Sequence, residues 1–171
     1  MWNLLRSLVY AALFVSLWTY FVPAWIVGKP DWSVDFANLG GIQIFGIALM
    51  LVGGFIAFSC VIDFGTAGKG TPAPFDPPRK LVRHRFYRHV RNPMYLGMAV
   101  LLTGEALLFP AERTAIFVML IFLIGIVNLF VLFYEEPTLR REFGEDYFQY
   151  CRHVPRWLPR LRPYTGLFRS L

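Results

Sequence analysis

Four long blocks of apolar side chains limit what this chain can fold into. The most uninterrupted reads Ala115-Ile116-Phe117-Val118-Met119-Leu120-Ile121-Phe122-Leu123-Ile124. A bilayer crossing takes about 20 mostly apolar residues. Residues 4–27, 39–62, 94–108 and 114–134 meet or approach that length, the third being short and interrupted by Glu105. Only 16% of the chain is charged, against about 25% in a typical soluble domain. With no room for hydrogen bonds to water in hydrocarbon, helices are the economical way to cross. The expected fold is an all-α integral membrane protein of about four transmembrane helices, followed by a C-terminal amphipathic cytoplasmic helix. No internal repeat or soluble second unit interrupts residues 1–171, so the chain reads as a single domain. The first block is too long for the apolar core of a signal peptide and has no small-residue cleavage pattern behind it, so it reads as a retained span.

Charge sets the expected orientation. Residues 63–93 carry Lys69, Arg79, Lys80, Arg83, Arg85, Arg88 and Arg91, and residues 135–171 carry seven more arginines. Together these are fourteen of the seventeen basic residues. The loops between the first two and last two spans hold only Lys29 and Arg113, each beside acidic residues. Basic residues favour the cytoplasmic side, which places both termini and the 63–93 segment there. The compact chain points to a bacterial inner membrane rather than the endoplasmic reticulum. The net charge of +6 is accounted for by juxtamembrane contact with anionic headgroups. It requires no nucleic acid, and nothing calls for an obligate protein partner. Two cysteines without a CxxC pattern, and three histidines away from helical ligand spacing, indicate neither a disulfide framework nor a metal site.

Between the second and third spans, Gly68-Lys69-Gly70-Thr71-Pro72 and then Pro74, Pro77 and Pro78 exclude a regular helix. This run is expected to form an ordered ledge at the membrane face. A short helix over 81–90 would align Val82, Phe86 and Val90. In the tail, Leu139, Phe143, Tyr147, Tyr150 and Val154 recur at spacings of three or four and define one apolar helical face. Glycines in the second span suit close helix approach. Gly97 and Gly104 leave little bulk along the third and predict a lateral gap beside it.

Several polar residues sit where a site would be useful. Glu135 and Glu136, followed by Pro137, stand where the last span leaves the apolar block. They read either as caps of a helix starting there or as pocket carboxylates that need donors from a ligand. Tyr87 and Tyr95 flank the basic stretch 88–91, as interfacial aromatics or as partners for a cationic or ring-bearing ligand. Glu105 is the one acid inside a span, suited to a pocket or to an interhelical hydrogen bond.

Taken in order, Arg91-Asn92-Pro93-Met94-Tyr95-Leu96-Gly97, Glu135-Glu136, Phe143-Gly144-Glu145-Asp146-Tyr147-Phe148-Gln149-Tyr150 and Val154-Pro155 resemble a known set of motifs. It belongs to the membrane methyltransferase superfamily of isoprenylcysteine carboxyl methyltransferases and phospholipid N-methyltransferases. The resemblance covers roughly residues 68–159. It implies S-adenosylmethionine as cofactor, held by the regions 68–97 and 135–159. It also implies a lipophilic methyl acceptor and residence in the lipid bilayer. On that resemblance Arg79, Lys80, Leu81 and Val82 line the cofactor, Tyr87 matches a family tyrosine, and Asn92, Pro93, Met94, Tyr95 and Glu135 contact the cofactor. Glu105, Glu136 and Arg91 are the candidate catalytic residues, the two acids as bases for an ammonium acceptor. Tyr95 and Glu135 are expected within reach of one nucleoside-sized ligand. Asn92 replaces the family's histidine, and Val131 stands where the prenylcysteine enzymes have a substrate-contacting arginine. The leading expectation is methylation of an isoprenylcysteine-like carboxylate or related lipid at the cytoplasmic face. The alternatives are a phospholipid headgroup N-methyltransferase, an NADPH-dependent enzyme resembling sterol reductases, and a non-catalytic membrane protein.

Overall fold

The computed structural model describes residues 2–28, 30–68 and 80–165. Arg79 and, beyond Gly68, the glycine- and proline-rich run expected to form a ledge lie outside the described residues. Among those described, the regular structure is helical throughout: α1 Trp2–Ser16, α2 Val22–Val27, α3 Gly41–Asp63, α4 Pro93–Leu108, α5 Arg113–Phe130 and α6 Glu136–His153. Wider π turns join α1 to α2, extend α3 to Gly68 and join α5 to α6. Three helical runs, Leu4–Val27, Gly41–Gly68 and Arg113–His153, are long and apolar enough to cross a membrane. The fourth expected span, α4, has 16 residues, about 24 Å at the helical rise. It is the inner helix of the bundle, with Leu102 and Ala106 fully buried. Outward-facing Leu51, Phe55, Ile121 and Phe122 are each 65–70% exposed. An apolar belt of that kind suits lipid rather than water.

The closest packing joins α3 to α4. Gly46 lies against Gly104 and Gly53 against Gly97, seven residues apart on each helix, which is two turns and so one stripe. A Cβ on Gly53 would sit 2.5 Å from both Gly97 O and Leu101 N. The backbones meet with no side chain between them, as small residues allow in membrane helices. This corrects the place of the expected lateral gap: Gly97 and Gly104 do not line it but are filled against α3. On its other side, α4 packs Leu102 and Ala106 against Ile116, Met119, Leu120 and Leu123 of α5.

Two contacts order the ends of the bundle. Leu4 of α1 touches Gly65, so the start of α1 lies at the same end as the basic 80–92 segment. At the other end, Asp31 N–H donates to Glu112 Oε1 at 3.2 Å, joining the two short interhelical loops. The basic segment itself is not the short helix expected over 81–90. Only Arg85–Arg88 forms a 3-10 turn, and Arg85 has φ 49°, which breaks the helical path. Val82 and Val90 are buried and Phe86 is half-buried, but no helix aligns the three as a stripe.

The last helices depart from the sequence reading in an instructive way. Glu135, Glu136 and Pro137 do not begin a free helix, because α5 runs through a π turn, Val131–Glu135, directly into α6. The Glu136 N–H donates to Val131 O, five residues back. That spacing puts Val131 and Glu136 on one inward face, and both are buried. The break comes later, at Gly144, whose φ 51°, ψ −126° is a conformation open to glycine. Beyond it, Tyr147, Tyr150 and Val154 bury together against Leu81, Leu139 and Phe143, so the apolar face read from the sequence is present across a kink.

Candidate active site

The site forms where the first turn of α4, the α5–α6 junction and the tail converge. Tyr95 lies in that first turn, and its hydroxyl donates to Glu135 Oε2 at 3.1 Å. Pro93 at the helix start donates no hydrogen bond and is fully buried. Forty residues of sequence separate Tyr95 and Glu135; the π turn aims the carboxylate back at α4. Glu135 makes no side-chain capping bond, and a carboxylate has acceptor sites to spare beyond the one that Tyr95 uses.

Next to it, Glu136 is the hub of a charged network. Arg91 Nη1 donates to its Oε1 at 2.9 Å, Arg156 Nε to the same oxygen at 2.7 Å, and Arg156 Nη2 to Oε2 at 2.9 Å. Arg140 approaches Oε2 at 3.7 Å. Arg91 Nη1 also donates to Cys151 Sγ at 2.9 Å. The Glu136 side chain is 4% exposed, and such a buried carboxylate is tolerable only when fully paired. Its lone pairs are therefore committed to guanidinium groups, a structural duty at odds with accepting a proton from substrate.

The tail locks onto the basic segment through its backbone. Arg91 N–H donates to Pro155 O, Arg160 N–H to His89 O and Tyr164 N–H to Arg88 O, at 2.9–3.0 Å. Asn92 Nδ2 donates to Arg156 O at 3.2 Å, and the buried Tyr150 hydroxyl donates to Tyr87 O at 2.7 Å. Burial pushes the Tyr87 hydroxyl above the ordinary phenol range, so it remains neutral.

Two apolar cavities reach this point from within the bundle. One, of about 420 Å³, runs between α1, α3, α4 and α5; the other, of about 290 Å³, lies between α1, α4, α5 and the tail. They share Phe14, Tyr95, Met98, Leu123 and Val127. Tyr95 thus belongs to both cavities and to the Glu135 hydrogen bond.

The remaining sequence candidates divide clearly. Met94 lines the larger cavity. Val82 and Tyr87 pack with Cys60 in a small core, and Leu81 supports the Tyr147 cluster. Lys80 is exposed, its N–H donating to Gly68 O. Glu105 is not brought to the site: it lies ten residues beyond Tyr95 on α4, about 15 Å along the axis, with Oε2 buried and unpartnered. The structure thus sets Glu105 apart from the Tyr95–Glu135 contact. Sequence reasoning missed Arg156, Asn128 and Trp157. Asn128 had a signal, being the lone amide inside the apolar run of α5, and polar groups inside spans are functional by default. Arg156 and Trp157 had none, since their contacts depend on the tail's return.

The chain has no significant match among curated proteins or among solved structures. A model of the phospholipid methyltransferase family matches residues 42–146, a stretch that runs from α3 through the Tyr95–Glu135 contact into α6. With the motifs, the helical membrane fold and that match in agreement, the chain belongs to the phospholipid methyltransferase family.

Proposed function

We propose that the chain methylates a lipid headgroup with S-adenosylmethionine as donor, at the membrane end where its basic residues cluster. The observation that carries this reading is the position of Tyr95, which lines two apolar cavities and donates its hydroxyl to the Glu135 carboxylate. An acyl chain in hydrocarbon and a polar head at a carboxylate would meet there. Buried Val131, in place of an arginine that would bind a prenylcysteine carboxylate, favours a phospholipid over that acceptor.

The residues fit the cofactor. Glu135 keeps unused acceptor capacity beside Tyr95 and would hold ribose hydroxyls or an amine of S-adenosylmethionine. The backbone at Asn92 and Pro93 would flank it. When bound, the cofactor supplies an electrophilic methyl group on a sulfonium. The chain's own contribution is positioning and exclusion of water. Tyr95 fixes the Glu135 carboxylate, the apolar walls keep water from the acceptor, and the Glu136 network holds tail and α4 in register.

Glu135→Gln is expected to weaken S-adenosylhomocysteine binding by about 1.5–3 kcal/mol, the range for a hydrogen bond to a charged group. Melting temperature without ligand should move little. Isothermal titration with S-adenosylhomocysteine and, separately, NADPH checks this. Binding of NADPH alone would replace methyl transfer with a reductase reading.

The end where the 80–92 segment meets the tail should face the cytoplasm, since the sequence segments 63–93 and 135–171 carry fourteen of the seventeen basic residues. Reporter fusions at Asp31 and at Leu171 are expected on opposite sides of the membrane. The same side for both would contradict this orientation.

A further inference from the structure

The smaller cavity contains one polar group that the reading above leaves unused. Of the polar side chains lining it, Tyr95 donates to Glu135. Trp157 donates from Nε1 to Asn128 Oδ1 at 3.0 Å. Asn128 lines the same cavity. An indole N–H only donates, so this contact fixes the amide with its oxygen toward Trp157. The Nδ2 donors are then left for something else, and no described residue accepts from them. Asn128 is half-buried and lines an apolar cavity, where an amide donor without a partner is unfavourable, and Trp157 needs only an acceptor. A structural anchor for the tail would therefore not require the two N–H groups.

Depth along the helix says what would accept from them. Asn128 precedes Glu135 by seven residues of continuous helix, about 10 Å along the axis. With a lipid head beside a cofactor held at Glu135 and an acyl chain in the cavity, the level of Asn128 is where the head gives way to the chain. In a diacyl lipid that level carries ester carbonyl oxygens, which are acceptors only. We propose that Asn128, oriented by Trp157, binds the acceptor lipid through a hydrogen bond from Nδ2 to an acyl ester carbonyl. The site thereby selects ester-linked over ether-linked lipids. This rests on the lipid-methylating reading for the placement of the headgroup, but it is tested by binding rather than by turnover.

The test uses the full-length protein in detergent with equimolar diester and diether phosphatidylethanolamine of matched chain length, without S-adenosylmethionine. Native mass spectrometry reads the ratio of the two bound lipids. Wild type should retain the diester form about three- to ten-fold over the diether, as one net hydrogen bond allows. Asn128→Leu should bring that ratio to about one while S-adenosylhomocysteine binding holds and melting temperature falls modestly as the Trp157 N–H loses its acceptor; Asn128→Ala serves the same comparison if the leucine variant does not fold. Trp157→Phe, which keeps the amide but frees its orientation, should leave a reduced ester preference. A wild-type ratio of one, or a preference that survives in the folded Asn128 variant, overturns the assignment. An ester preference in a protein that methylates neither lipid would instead overturn the proposed reaction while leaving this contact standing.

Discussion

Replacing Glu136 with glutamine is expected to be among the most damaging single changes in the protein. The carboxylate accepts from Arg91 and Arg156 at 2.7–2.9 Å. Without it, two guanidinium groups face each other with no counter-charge. Breaking a buried pair from one side costs about 3–5 kcal/mol. The Arg156 side chain is 30% exposed, so water offsets part of that loss and a cost near 3 kcal/mol is expected. Thermal unfolding in detergent should show a large drop in melting temperature. Hydrogen exchange should rise in the tail near Pro155 and Arg160, which the network helps hold against the 88–92 segment. Glu136→Gln combined with Arg156→Gln should recover part of the loss by removing one stranded cation. A Glu136→Gln variant as stable as wild type would mean that the network is not what fastens the tail.

Gly53→Ala is expected to have the second large effect, through the α3–α4 seam. The added Cβ would stand 2.5 Å from Gly97 O and Leu101 N. Both are backbone atoms, so no side chain can rotate away and the helices must separate. Overpacking typically costs about 1–3 kcal/mol, and the upper end applies because the displacement runs the length of the stripe. Gly125→Ala is the matched control. Nothing lies within 4 Å of a Cβ there, and alanine is the better helix former by about 1 kcal/mol, so stability should hold or rise. Equal effects at the two glycines would show that the seam contributes nothing specific.

The apolar blocks made the helices readable: spans expected at 39–62 and 94–108 appear as Gly41–Asp63 and Pro93–Leu108. Hydrophobic runs and a proline at a helix start are local signals, so their limits survive in the sequence. The pairing of Tyr95 with Glu135 was legible only through motif order, because nothing local ties residues forty positions apart. The π turn at Val131–Glu135 left no trace in the pattern. Read as an ordinary helix start, Glu135-Glu136-Pro137 suggested capping, whereas one five-residue step turns one carboxylate to Tyr95 and the other to two arginines. The backbone pairing of the tail with residues 88–92 was equally hidden, since such hydrogen bonds do not depend on side-chain type. Glu105 stands apart for the opposite reason. An acid inside a span draws notice, but helical rise places it about 15 Å from Tyr95.

The central claim is that lipid methylation takes place where Tyr95 and Glu135 meet the two cavities. Transfer of labelled methyl from S-adenosylmethionine to phosphatidylethanolamine, measured in reconstituted vesicles for wild type, Tyr95→Phe and Glu135→Gln, tests it most directly. Labelled lipid should accumulate with wild type and fall at least about ten-fold with Glu135→Gln, as loss of a charged hydrogen bond implies. Tyr95→Phe should give a smaller loss, since the carboxylate remains but is no longer oriented. Undiminished transfer in both folded variants, or no labelled lipid from wild type, would contradict the account.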